Sequence, residues 1–166
     1  MGNRAKLSQN TAILLERARR FGVSDDVLLT CITSGDTAPL RIAEAQYYSY
    51  EGFVTYAEEH GELLEDAVKH GYRIKFSTPG GVQLWLQERF GLEAGKDFEG
   101  VMGTGRIDGL KLGNEQLRQL SATVADNWVF LEAGAVLDRE RAGTQDDSSP
   151  EPRCLTLMIR SVYEAG

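Results

Sequence analysis

Cysteine is scarce in this chain: Cys31 and Cys154 are the only two, and neither belongs to a Cys-x-x-Cys pair. Both sit in apolar surroundings, Leu28-Leu29-Thr30-Cys31-Ile32 and Cys154-Leu155-Thr156-Leu157, so buried free thiols are expected rather than a disulfide framework. Histidine is as rare, and His60 and His70 have no Cys or His at ligand spacing. A metal site built on such ligands is therefore unsupported, and neither metal nor cofactor is expected. No apolar run approaches the roughly 20 residues that span a bilayer. The opening Met1-Gly2-Asn3-Arg4-Ala5-Lys6 lacks the apolar core of a secretory signal, and Lys6 stands where a myristoylation motif has Ser or Thr. A cytoplasmic chain without membrane association is expected. No Ser-His-Asp or Cys-His arrangement is legible locally, which weighs against an enzyme.

What is present is ordinary in amount and uneven in placement. Apolar residues make up 42% and charged residues 26% of 166, the composition of a domain that buries a core. The net charge is −7. Residues 1–24 hold Arg4, Lys6, Arg17, Arg19 and Arg20 against Glu16, whereas residues 25–70 hold ten acids against Arg41 and Lys69. A basic arm thus precedes an acidic middle, an asymmetry that bears on partners rather than on fold.

The stretch from Leu63 to Leu92 carries the most structural information. Leu63, Leu64, Ala67 and Val68 fall at helical spacing, and Gly71 suits a helix end. Tyr72, Ile74 and Phe76 alternate with Arg73 and Lys75, the two-residue period of a strand. Thr78 and Pro79 then open a helix carrying Val82, Trp85, Leu86, Arg89 and Phe90 on one face, closed by Gly91. A second strand-to-helix unit follows: a strand over Ile107–Leu112, then a helix capped by Asn114. Trp128–Leu131 and Ala135–Leu137 read as strand, and Leu155, Leu157 and Ile159 alternate as a last one. Between them Arg139–Arg153, rich in Gly, Asp, Ser and Pro, reads as a mobile loop.

Upstream, Thr11–Phe21 reads as a helix capped by Asn10, and Ser24 caps a second one to about Ile32, closed by Gly35. A third helix is expected from Leu40 to about His60, with Gly52 weakening its interior. The expected fold is α+β: about four helices in residues 1–70, packed on or beside a small mixed sheet with two strand–helix units in residues 71–166.

Five candidate sites emerge. Leu14–Cys31, with Ala18 and Gly22 four apart and Leu28 six further on, resembles the helix-turn-helix family of DNA-binding motifs, and Phe21, Val23 and Cys31 fall at positions that such a motif buries. That resemblance implies backbone contacts from Arg17, Arg19 and Arg20. Arg17 departs from it, standing where an apolar residue is usual. The would-be recognition helix opens on Ser24-Asp25-Asp26, and its carboxylates would repel phosphates, so nucleic acid is a disfavoured partner. The turn Thr78-Pro79-Gly80-Gly81, with Lys75 nearby in sequence, could hold a phosphate at the helix start, although the Gly-Lys-Ser/Thr of a Walker loop is absent. The glycines at 100, 103, 105, 109 and 113 precede a strand instead of following one, so β-turns are expected in place of a nucleotide loop.

Tyr47, Tyr48, Tyr50 and Tyr56 with Phe53 exceed what one buried stripe needs. Amphipathic rings of this kind suit a protein interface. Glu58, Glu59, Glu62, Glu65 and Asp66 read as a solvated acidic face. The leading expectation is a non-enzymatic adaptor or inhibitor, with a helix-turn-helix transcription regulator and a small phosphate- or nucleotide-binding enzyme as the alternatives. The adaptor or inhibitor would bind a protein partner with a basic surface through Tyr47, Tyr48, Tyr50, Tyr56, Glu51 and Glu58, and a homo-oligomer is compatible with the same surface.

Overall fold

The computed structural model describes residues 5–46, 48–101, 104–139 and 153–165, and the fold is α+β. The chain divides into two units, Met1–Lys75 and Phe76–Gly166. Among the described residues no helix is long and apolar enough to cross a membrane.

The first unit runs β1 (Ala5–Leu7), α1 (Gln9–Arg20), α2 (Asp25–Ser34), a 3-10 turn (Ala38–Ala43), α3 (Phe53–Glu59), α4 (Leu64–His70) and β2 (Tyr72–Ile74). β1 and β2 pair in parallel, Ala5 opposite Tyr72 and Leu7 opposite Ile74. The alternation at Tyr72–Ile74 is thus a strand, but its partner is the N-terminal Ala5–Leu7, too short for its period to be legible. Ser8, and not Asn10, caps α1, its hydroxyl accepting the Thr11 N–H at 3.4 Å. Ser24 caps α2 through the Val27 N–H, and Gly35 closes it in the left-handed region at φ 78°.

The expected helix from Leu40 to His60 is not continuous. Glu44 is extended, Ala45 and Tyr48 exchange two backbone hydrogen bonds at 3.1 and 3.0 Å, and the helix resumes only at Phe53. Two bonds made by Tyr50 account for the break. Its N–H donates to the Glu44 carboxylate at 2.8 Å, and its hydroxyl donates to the Leu14 carbonyl of α1 at 2.6 Å. Local side-chain acceptors and a tertiary anchor outcompete the helical ladder where Tyr, Ser and Gly give it little propensity.

A buried polar network ties this unit together. Glu16 on α1 is buried, and its Oε2 accepts from Tyr72 Oη of β2 at 2.6 Å and from Arg19 at 3.1 Å. Arg19 also donates to Asp25 of α2 at 3.0 Å and to the Val68 carbonyl of α4 at 3.3 Å. Burial alone would lower the Arg19 pKa, but Glu16 and then Asp25 outweigh it and hold the guanidinium above its ordinary value.

The second unit runs α5 (Pro79–Phe90), β3 (Glu99–Val101), β4 (Arg106–Leu112), α6 (Asn114–Thr123), β5 (Trp128–Glu132), β6 (Ala135–Val136), β7 (Arg153–Ile159) and α7 (Arg160–Ala165). Its sheet is antiparallel throughout in the order β3-β4-β7-β5-β6, so parallel and antiparallel pairings lie in separate sheets and are not mixed in one. Ile107, Leu110, Leu112, Phe130, Leu155 and Leu157 are buried along the three central strands. The register shift between Ile107 and Leu110 falls at Gly109, whose φ of 66° suits a bulge. Gly113, not Asn114, is the N-cap of α6, its N–H bonded to Gln116 Oε1 at 3.1 Å.

Two anchors hold the ends of these elements. The Ser77 carbonyl accepts from Trp128 Nε1 at 2.8 Å and from Asn127 Nδ2 at 3.0 Å, fixing the start of α5 to the start of β5. The Arg139 guanidinium donates to the carbonyls of Ser121, Val124 and Ala125, where α6 ends and its dipole favours a cation. Residues 140–152 of the expected mobile loop lie outside the described residues.

Two stability predictions follow from this geometry. Tyr72→Phe removes a hydrogen bond to a buried carboxylate and should cost about 1.5–3 kcal/mol in urea denaturation; an unchanged midpoint would show that Glu16 does not depend on it. Ala133, at φ 52° beside Gly134 in the two-residue β5–β6 turn, sits in a conformation that favours Asn. Ala133→Asn should raise stability by about 0.5–1 kcal/mol, read as a higher denaturation midpoint.

Candidate docking site

The first unit carries a cleft of about 460 Å³ beside the N-terminal turn of α1. α1 contributes Asn10, Thr11 and Leu14, and the segment before α3 contributes Ser49 and Glu51. Phe53 and Tyr56 of α3 complete it. Because Ser8 is the cap, Asn10 is left exposed at this mouth instead of being turned back onto the helix.

Phe53 and Tyr56 are three apart on α3 and so project to one side. Phe53 is buried and meets the Tyr50 ring edge-on at 5.5 Å, forming a fixed floor. Tyr56 is 42% exposed and stacks on His60 with centroids 4.0 Å apart and planes 21° from parallel. The Glu51 N–H donates to Ser49 Oγ at 3.3 Å, which orients that short loop. The Glu51 carboxylate is exposed and has no ion pair among the described residues, and neither do Glu58 and Glu59. The arrangement offers an aromatic face, a carboxylate and neutral hydrogen-bonding groups over an apolar base. Among the described residues that line it there is no nucleophile–base pair. Among the described residues no group of three or more His, Cys, Asp or Glu could hold a metal ion.

Of the six residues expected at a partner surface, Glu51 and Tyr56 meet in this cleft. Glu58 is exposed but stands two residues past Tyr56, on another side of α3. Tyr50 is fully buried and belongs to the core, contrary to expectation. Tyr48 is half-buried with its ring 4.1 Å from the Arg17 guanidinium. Tyr47 lies outside the described residues. Phe53, grouped with the tyrosines by the sequence, also lines the cleft, whereas Asn10, Thr11 and Ser49 are not singled out by the sequence as site residues. The Ser8 to Thr11 spacing was the available signal for Asn10 and Thr11.

The arginines of the helix-turn-helix-like segment are mostly engaged within the fold. Arg17 is buried, donates from Nε to the Ala43 carbonyl at 2.6 Å and lies 4.6 Å from the Phe21 ring centroid. Arg19 belongs to the Glu16 network, and Arg20, exposed, lies 5.9 Å from Phe21. At the start of α5, Thr78 Oγ accepts the Gly81 N–H at 3.1 Å, a helix cap, while Gly80 is exposed. Lys75 belongs to the first unit, where its ammonium is 3.1 Å from Glu62. Glu62 is therefore not on the solvated acidic face: its side chain is inaccessible, whereas Glu58, Glu59, Glu65 and Asp66 are exposed.

Of the thiols, Cys31 is buried and Cys154 exposed. Burial, and secondarily Asp36, push the Cys31 thiol above its ordinary pKa, which leaves it protonated and unreactive. Comparison with protein-family models, curated proteins and solved structures returned no match.

The contrast between the two tyrosines is measurable. Tyr50→Ala should cost about 3–5 kcal/mol, as for a large buried ring, whereas Tyr56→Ala should stay within about 0.5 kcal/mol of the parent. Equal effects in thermal or urea unfolding would contradict their assignment to core and surface.

Proposed function

We propose that the chain is a non-enzymatic binding protein, an adaptor or inhibitor, that docks a protein partner with a basic surface on its first unit. The reading is carried by one observation: an exposed aromatic residue, Tyr56, and a carboxylate without an ion pair among the described residues, Glu51, line the same cleft. Aromatic residues at a rigid surface give contact area at low entropic cost, and unpaired acids steer a cationic partner towards it. Glu58 and Glu59, exposed on the same helix as Tyr56 and without ion partners among the described residues, extend the acidic field. A cytoplasmic location belongs to the same reading.

Tagged full-length protein and its Glu51→Lys/Tyr56→Ala variant, incubated with nuclease-treated host lysate, test it. A stoichiometric protein captured by the parent should fall at least about tenfold with the variant and weaken as salt rises. Capture that ignores both substitutions would remove the cleft from the docking surface.

A further inference from the structure

We propose that the cleft beside α1 and α3 seats an arginine side chain of the partner, its guanidinium stacked on Tyr56 and hydrogen-bonded to the Glu51 carboxylate. This rests on the docking reading above and gives it a chemical occupant.

Charge selects a cation. Among the described residues Glu51 is the one formally charged side chain lining the cleft, and the exposed Glu59 follows one turn after Tyr56 on α3. The α1 N-terminus alone would favour an anion with roughly half a charge. A full carboxylate at the same mouth outweighs that, and the Thr11 N–H is already taken by Ser8.

Shape and hydrogen-bonding capacity select arginine over lysine. His60 occupies one face of the Tyr56 ring in a near-parallel stack, and Tyr56 as a residue is still 42% exposed. A planar guanidinium on the accessible face continues that stack, which a compact ammonium does not do. The acceptors around it are several: two carboxylate oxygens of Glu51, the Asn10 carboxamide and the Ser49 hydroxyl. Five N–H donors in a fixed fork suit such a set better than three on a rotating head. Leu14 and Phe53 supply the apolar base along which the methylene stem can lie. The same unit already uses this chemistry internally, since the Arg17 guanidinium carbon lies 4.6 and 4.1 Å from the Phe21 and Tyr48 ring centroids.

The full chain, isotopically labelled, would be titrated by NMR with the acetylated and amidated peptide Gly-Arg-Gly-Arg-Gly, and with its lysine and citrulline counterparts. The arginine peptide should shift the amides of Asn10, Glu51, Phe53 and Tyr56, and the lysine peptide should bind at least about threefold more weakly. The citrulline peptide, isosteric but neutral, should be weaker still. Glu51→Gln and Tyr56→Leu should each lower affinity for the arginine peptide at least about threefold, with the spectrum of the folded chain otherwise retained. Equal binding of arginine and lysine, or shifts that spread to Glu65 and Asp66 of α4 without favouring the cleft, would overturn the proposal. If partner capture still depends on Glu51 and Tyr56 in that case, the docking reading survives without the arginine. If capture ignores both residues, the docking reading itself is lost.

Discussion

The buried carboxylate of Glu16 is the constraint on which the first unit depends. An isolated charge in that position would be costly to desolvate, so its partners must be held in place. Tyr72 and Arg19 supply hydrogen bonds to the same oxygen, and Arg19 reaches onward to Asp25 and the Val68 carbonyl. Together Glu16 and Arg19 thereby tie α1 to α2, α4 and β2. These elements come from opposite ends of the unit, with Glu16 and Tyr72 separated by 56 residues. The parallel pairing of β1 with β2 closes the same loop through the backbone.

A second set of bonds fixes the irregular segment between the 3-10 turn and α3. Arg17 of α1 donates to the Ala43 carbonyl, and Tyr50 of the segment donates to the Leu14 carbonyl of α1. Because the segment is pinned at these points, Ser49 and Glu51 come to stand beside the first turn of α1, and the cleft exists. A continuous helix over the same residues would have had no such indentation. The second unit uses different anchors, a serine carbonyl and an arginine at a helix C-terminus, to place its helices around an antiparallel sheet.

Two residues that composition alone grouped together have separate roles. Tyr50 and Tyr56 are both tyrosines six positions apart, yet one is inaccessible and the other 42% exposed. Likewise Glu62 and Glu58, four apart, read as neighbours on one helical face, but a helix end at Gly61 turns Glu62 inward onto Lys75. In neither case does one helix carry both residues, because α3 runs only from Phe53 to Glu59.

Much of the fold was legible from local chemistry. Ser24, Thr78, Gly35, Gly71 and Gly91 marked helix ends because caps and left-handed turns depend on a few adjacent atoms. The alternation at Leu155–Ile159 marked the central strand β7 because one face of it is buried. Three things lay beyond that reach: the strand at Ala5–Leu7, the break after Ala43, and the meeting of Glu51 with Asn10. Each depends on a partner distant in sequence, whether Tyr72–Ile74, Leu14 or the start of α1. Within the chain, then, the sequence by itself determined the helix ends, the buried stripes and the α+β class. Tertiary structure alone decided which tyrosines and acids share a surface, because burial and pairing are properties of contacts between segments and not of the segments themselves.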